Sequence, residues 1–279
     1  MRSFVVAANW KMHKSPSETV EYLKSFLNKM NKVSLTTSLD HEVAITFGGP
    51  GESQKYLDKK VIFFVPAVDA FVASEALKGS AIEWGAQNCY HEQSGAYTGE
   101  NSAAVMAELG AGYVLVGHSE RRSIFRETDE DTGKKLRLIQ ELNLTPMLCV
   151  GESLEEREKG ITSEVIIRQL RAGLESRIPH KAVMIAYEPV WAIGTGKVAT
   201  PEQANEAHQI LRAALFEIGG DNQADKTHFA QSTPILYGGS VKPENARALS
   251  HQPEIDGFLV GGASLDLSSF MALCQVERE

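Results

Sequence analysis

Cysteine is scarce in this chain of 279 residues, and the three cysteines lie far apart, at Cys89, Cys149 and Cys274. None belongs to a CxxC pair, so the sequence predicts neither a disulfide framework nor a zinc site. We expect no metal and no organic cofactor, because no motif for either is present. A reducing cytoplasm is the simplest compartment for such a chain.

The chain also has no excess of positive charge. It contains 28 Lys and Arg and 36 Asp and Glu, which gives a formal net charge of −8. Nucleic-acid binding depends on cationic side chains that neutralise phosphates, so we expect no nucleic-acid partner. No apolar run reaches the ~20 residues that a membrane helix needs, and we expect no membrane association. The opening MRSFVVAANWKM lacks the features of a signal peptide, and we interpret it as the first strand.

Short apolar segments alternate with longer segments of helical periodicity. A segment that is apolar on both faces is typical of a parallel strand covered on both sides. The candidate strands are FVVAANW, VIFFVPAV, IEWGAQN, GYVLVGHS, TPMLCVG, VMIAYEP, PILYGG and DGFLVGG. The predicted helices include SETVEYLKSFLNKM, TGKKLRLIQELN and TPEQANEAHQILRAALFEI. The last of these opens with Thr200 as N-cap, Pro201 at the first position and Gln203 three residues after the cap.

Eight strands alternating with helices fit a (β/α)₈ barrel, and the length is close to the ~250 residues typical of that fold. Periodicity alone leaves an open doubly wound sheet as the alternative. The polar residues favour the barrel, because they follow strand ends that meet on one face only when the sheet closes. We therefore predict an α/β fold with a single (β/α)₈ barrel domain over residues 1–279.

Residues 33–60 do not fit the count of eight strands. They include a strand-like EVAITF and a Gly/Pro turn, and they precede the segment VIFFVPAV. We interpret them as an extra excursion within the first βα unit. The alternative is that EVAITF is the true second strand.

Glu188 follows the apolar run VMIAY and precedes Pro189, which ends regular strand pairing. Its apolar neighbours would desolvate the carboxylate, so its pKa should respond to closure of the site. A glutamate at a strand exit commonly faces solvent. The following PVWAIGTGK, with an apolar tip and two glycines, is instead typical of a closing lid.

Three further residues at strand exits could serve an anionic substrate. Asn9 and Lys11 lie two residues apart, so both could face one site, and Lys11 could supply positive charge to an acidic protein. His118 precedes a predicted helix, whose N-terminal potential favours a neutral imidazole that can donate a proton to a carbonyl oxygen. Each residue alone has an ordinary structural explanation, as a solvent lysine or a packed histidine.

Glycine-rich turns follow the last two strands, in YGGSVKPENA and LVGGAS. Glycine lets backbone N–H groups approach a phosphate closely, and phosphate sites after strands seven and eight recur in barrels. The two turns together therefore predict a phosphate site.

These segments resemble the triosephosphate isomerase family. The resemblance runs through ANWKM, QNCYHEQSGAYTGE, GHSERR, TPMLCVGE, YEPVWAIGTGKVATPEQA, LYGGSVKPENA and DGFLVGGASL, nearly the whole chain outside 33–60. It implies interconversion of dihydroxyacetone phosphate and glyceraldehyde 3-phosphate through an enediolate, in glycolysis and gluconeogenesis. It also implies a homodimer, in which the loop 87–100 inserts into a neighbouring subunit.

The resemblance implies a role for each site residue. Glu188 would be the base, His118 the electrophile, and Lys11 with Asn9 the electrostatic anchor. Residues 189–199 would form the closing loop. Those expected to contact the phosphate are Gly194, Ser240, Gly261 and Gly262. Supporting roles fall to Glu120 in the charge network, Cys149 near the base, Tyr237 with Ser240 as loop latch, and Ile193 with Leu259 as an apolar clamp over Glu188.

Two other functions stay open at this point. A Schiff-base aldolase or lyase on the same fold would need a desolvated lysine, and Lys11 is the only lysine at a suitable strand end. A catalytically inactive barrel kept as a scaffold would have lost Glu188, Lys11 or His118, but all three are present.

Overall fold

The computed structural model describes residues 2–35, 59–193 and 198–278. Eight parallel strands pair in chain order, and the eighth pairs with the first to close the barrel. The strands are β1 Phe4–Asn9, β2 Lys59–Val65, β3 Glu83–Ala86, β4 Tyr113–Val116, β5 Thr145–Val150, β6 Met184–Tyr187, β7 Ile235–Tyr237 and β8 Gly257–Val260. The predicted (β/α)₈ barrel is confirmed, and the open sheet is wrong.

Helices connect the strands within the described ranges. They are α1 Pro16–Leu35, α2 Ala70–Leu77, α3 Ala103–Glu108, α4 Ser119–Ser123, α5 Asp129–Glu141, α6 Leu154–Glu158, α7 Thr162–Leu174, α8 Pro201–Ile218, α9 Gln223–Ser232, α10 Pro243–Ser250 and α11 Leu267–Cys274. Short 3₁₀ turns occupy Ala67–Asp69, Val190–Ala192 and Gly262–Ser264. The predicted opening of α8 is confirmed, since the Thr200 side chain accepts the Gln203 N–H in a capping box and Pro201 follows the cap.

The side chains of strand β1 alternate between two apolar cores, one inside the barrel and one between the strands and the helices. Val5 and Ala7 point into the barrel, where they join an inner apolar cluster. Val6 and Ala8 point outward and pack in the layer between strands and helices. Trp10 continues the outward row, and its ring lies 5.4 Å from that of Phe63. Asn9 therefore continues the inward row and faces the mouth of the barrel.

The extra segment is described only at its two ends. Residues 33–35 complete α1, and residues 59–60 begin β2, which places VIFFVPAV in the second strand of the closed barrel as favoured. The strand-like EVAITF lies outside the described residues. Because residues 36–58 do too, the single domain over 1–279 stays a prediction.

Candidate active site

Three buried polar residues meet at the carboxyl ends of the strands. Asn9 ends β1, His118 follows β4 by two residues, and Glu188 directly follows β6. Only 4% of Asn9, 6% of His118 and 2% of Glu188 is exposed. Buried polar side chains need partners, and the partners of these three define the site.

Glu188 and His118 contact each other directly. Glu188 Oε1 lies 3.0 Å from His118 Nε2, and Glu188 Oε2 accepts the backbone N–H of Ser119 at 2.9 Å. The Glu120 backbone N–H donates to His118 Nδ1 at 3.2 Å. Since Nδ1 accepts a hydrogen bond, the proton of the neutral imidazole sits on Nε2 and points at the carboxylate.

The pKa values of this pair depend on their contact. Burial raises the pKa of Glu188, but His118 and the Ser119 amide together bring it below its ordinary value. Burial lowers the pKa of His118, but the Glu188 carboxylate raises it above its ordinary value. The expected neutral form of His118 stays a prediction, because the helix amide donates to Nδ1 whereas the Glu188 carboxylate beside the ring raises its pKa.

Lys11 supplies the positive charge of the site. Its ammonium lies 2.5 Å from Glu120 Oε1, and its backbone N–H donates to Asn9 Oδ1 at 3.0 Å. Its φ of +52° is a left-handed conformation, uncommon for a lysine, that the Asn9 contact helps to hold. An ion-paired lysine is not the desolvated amine in an apolar pocket that a Schiff-base enzyme uses.

Glycines leave room around these side chains. A Cβ on Gly238 would lie 2.9 Å from Glu188 Cγ, and a Cβ on Gly261 would lie 3.2 Å from Lys11 Cε. A Cβ on Gly262 would meet nothing within 4 Å, so its backbone faces open space. The turns after β7 and β8 therefore reach Glu188 and Lys11, as a phosphate site beside them would require.

Other predicted residues lie around this centre. Cys149 in β5 is fully buried, and burial together with Glu188 raises the pKa of its thiol. The buried hydroxyl of Tyr237 has no hydrogen-bond partner among the described residues. Ser240 lies beyond β7, where its carbonyl accepts a hydrogen bond from Asn245.

The predicted apolar clamp is placed only in part. Leu259 is buried inside the barrel on β8, and Ile193 is half-buried beyond β6. The clamp therefore stays a prediction. Gly194 lies outside the described residues.

Sequence reasoning missed several residues that hold the site. Ser119 contributes its backbone N–H, and the identity of a side chain does not reveal what a backbone group will bind. Glu152 is fully buried and accepts hydrogen bonds from Tyr187 Oη at 3.0 Å and Trp191 Nε1 at 2.9 Å, which ties Trp191 to the turn after β5. Its position directly after a strand, within TPMLCVGE, is a signal that could have found it.

Comparison with known proteins identifies the family. The model of the family "Triosephosphate isomerase" matches residues 49–277. The chain belongs to this family. A triosephosphate isomerase of Bdellovibrio bacteriovorus is 48% identical over 276 residues, covering 98% of this chain and 99% of that protein. Those of Carboxydothermus hydrogenoformans and Lactobacillus delbrueckii subsp. bulgaricus are 43% and 42% identical, each over 98% of this chain.

Family membership decides between the functions left open by the sequence. The predicted aldose–ketose isomerase acting on triose phosphates is confirmed. Among the described residues, no cluster of His, Cys, Asp and Glu could hold a metal ion, and no helix is long and apolar enough to cross a bilayer.

Proposed function

We propose that in this triosephosphate isomerase Glu188 is the base, His118 the electrophile and Lys11 the cation that stabilises the enediolate. The observation that carries the proposal is the 3.0 Å contact between Glu188 Oε1 and His118 Nε2. A carbonyl oxygen that accepts the Nε2–H would bring its neighbouring carbon to the Glu188 carboxylate.

The proton transfers follow from this placement. Glu188 removes a proton from C1 of dihydroxyacetone phosphate, next to the carbonyl carbon. Negative charge then develops on the carbonyl oxygen, where the His118 Nε2–H and the Lys11 ammonium stabilise it. His118 would move the C1 hydroxyl proton to the C2 oxygen, which gives up its carbonyl bond as C1 becomes the aldehyde. Glu188 would return its proton to C2, and the product is glyceraldehyde 3-phosphate.

The phosphate would bind at the turns after β7 and β8. Gly261 and Gly262 would offer backbone N–H groups there, with Ser240 and Gly194 completing the contacts. Lys11 supports this assignment because its side chain lies against Gly261 and provides the local positive charge that a protein of net charge −8 needs.

Residues 189–199 would close over the bound substrate and keep water from the enediolate. Trp191 lies at the start of this segment with its indole nitrogen on Glu152. Tyr237 would donate its unpartnered hydroxyl to the closed loop, together with Ser240, and Ile193 would meet Leu259 above the base.

We also propose a homodimer that works in the cytoplasm, in glycolysis and gluconeogenesis. A cavity of about 240 Å³ beside Lys11 and His118 reaches out to Met12 and Phe125. Met12 is 95% exposed and Phe125 64% exposed, a large apolar exposure beside a site. The loop 87–100 of a second copy, which carries the 40% exposed Tyr97, is the proposed occupant.

Kinetics of a histidine pair test the role of His118. His118→Gln should lower kcat for glyceraldehyde 3-phosphate by about 100-fold or more, because a general acid contributes about 10²–10⁴-fold. His208 is also buried, and its one hydrogen bond among the described residues is to the Glu254 carbonyl, at 3.1 Å, so His208→Gln is the matched control and should keep most of kcat. Full activity of a folded His118→Gln enzyme would overturn the assignment.

A further inference from the structure

Charged side chains hold both backbone polar groups of Gly117, the residue before His118. The Gly117 N–H donates to Glu127 Oε1 at 3.0 Å, and the Gly117 carbonyl accepts from Arg122 Nε at 2.8 Å. Gly117 has a φ of +68°, and a Cβ there would lie 2.8 Å from the Arg122 guanidinium. The backbone that carries His118 is therefore packed directly against this guanidinium.

Arg122 uses its three guanidinium nitrogens on three separate elements. Besides Nε on Gly117, Nη1 donates to Asp129 Oδ1 at 2.6 Å and Nη2 donates to the Cys149 carbonyl at 3.3 Å. Its side chain is only 15% exposed. A planar guanidinium can donate to all three acceptors at once, whereas a lysine has one ammonium group at the end of a flexible side chain.

The two carbonyls that accept hydrogen bonds from Arg122 are close in the chain or in the sheet to His118 and Glu188. Gly117 is the residue before His118. Cys149 is the residue before Val150, whose carbonyl accepts the Glu188 N–H at 2.8 Å. One guanidinium thus links the backbone of the proposed electrophile to the backbone that holds the proposed base.

We propose that Arg122 is a positioning residue, which fixes His118 Nε2 relative to the Glu188 carboxylate. This inference rests on the proposed roles of His118 and Glu188. Misplacement of a reacting group by about 1 Å can cost about 100-fold in rate. The proposed phosphate contacts Ser240, Gly261 and Gly262 follow β7 and β8 and share no bond with Arg122, so substrate binding should change little.

Arg122→Lys tests the proposal against a matched control on the same carboxylate. Arg168 also contacts Asp129, at 3.2 Å, but its side chain is 61% exposed and touches neither carbonyl. Arg122→Lys should lower kcat by about 10- to 100-fold with KM within about twofold. Arg168→Lys should leave both constants within about twofold. A folded Arg122→Lys enzyme with kcat within twofold of wild type would overturn the proposal.

Asp129→Asn separates positioning from general stability, whether or not Arg122→Lys folds. It weakens the ion pair but leaves both carbonyls on the guanidinium, so kcat should stay within about threefold despite lower stability. A loss of kcat as large as that expected for Arg122→Lys would mean that Arg122 acts only by stabilising α5, and would contradict the proposal.

His118→Gln distinguishes failure of this inference from failure of the proposed function. An active His118→Gln enzyme would remove the role on which the inference rests. An inactive His118→Gln enzyme beside a fully active Arg122→Lys enzyme would contradict only the inference about Arg122. The ¹⁵N signals of the His118 ring should also move in Arg122→Lys and stay unchanged in Arg168→Lys.

Discussion

Glu188 and His118 control each other's charge. Their contact lowers the pKa of Glu188 and raises that of His118, whereas burial acts in the opposite direction on both. A substrate oxygen placed between them would weaken their contact, and burial would then make Glu188 a stronger base and His118 a neutral donor. Both changes suit proton abstraction next to a carbonyl.

Asp69 offers a test of stability at the level of one residue. It is fully buried, its Oδ2 accepts from Thr19 Oγ1 at 3.0 Å, and its Oδ1 has no partner among the described residues. Burial raises the pKa of this carboxyl, so the folded state binds its proton more tightly than the unfolded state does. The stability that this proton contributes is present below the unfolded pKa and is lost as pH rises through the folded pKa.

Asp69→Asn should therefore raise the free energy of unfolding at pH 7, by about 1–2 kcal/mol, and flatten its decline as pH rises above the ordinary pKa of an aspartate. Urea unfolding at several pH values measures both. Thr19→Val, which removes the hydrogen bond from the carboxylate, should lower stability instead. An Asp69→Asn protein less stable than wild type at pH 7 would show that the charged form is favoured.

The strand-end positions together with the family resemblance singled out Glu188, His118 and Lys11, and the structure brings the first two into contact, while their roles stay a prediction. The sequence could not predict the direction of the His118 pKa, which depends on a carboxylate 70 positions away. Arg122 was missed for the same reason. Its partners at positions 117 and 129 are near in sequence, but the Cys149 carbonyl reaches it only because β4 and β5 pair in the barrel.

Among the elements, the start of α8 was predicted best, because the residues that form its N-terminal cap are neighbours in the sequence. Thr200→Ala removes the side-chain acceptor for the Gln203 N–H, and the protein should lose about 1 kcal/mol of unfolding free energy. Thr200→Ser keeps a hydroxyl and should lose much less. Urea unfolding of the two variants measures the difference, and equal stability would mean that the capping box contributes nothing.

Short elements escaped the same reasoning. Helices α4 and α6 span five residues each, too few to show a period of 3.6. Yet α4 provides the amides of Ser119 and Glu120 that bind Glu188 and His118. Part of the site's geometry therefore comes from an element that periodicity does not detect.

For the whole molecule, strand count and the positions of polar residues were enough to predict the closed barrel. The segment 33–60 was not predictable, because its pattern fits either an excursion or a strand. It lies within the span aligned with relatives, which covers 98% of the chain. The proposed homodimer can also be tested, by substituting the exposed apolar residues beside the site.

Charge placed in the proposed subunit contact should separate the dimer. Met12→Asp combined with Phe125→Asp would put two carboxylates where the loop 87–100 of the second copy should bind, at a cost of several kcal/mol. Sedimentation velocity should find a dimer for wild type and a monomer for the variant. Leu154→Asp, at another exposed apolar residue, is the control and should stay dimeric. A monomeric wild type would contradict the proposed assembly.

The central claim is that Glu188 is the base, and steady-state kinetics on glyceraldehyde 3-phosphate test it most directly. Glu188→Gln keeps the size and loses the carboxylate, so kcat should fall by at least about 100-fold while the variant stays folded. Glu188→Asp keeps a carboxylate farther from the substrate and should lose less. A folded Glu188→Gln enzyme with the kcat of wild type would contradict the account.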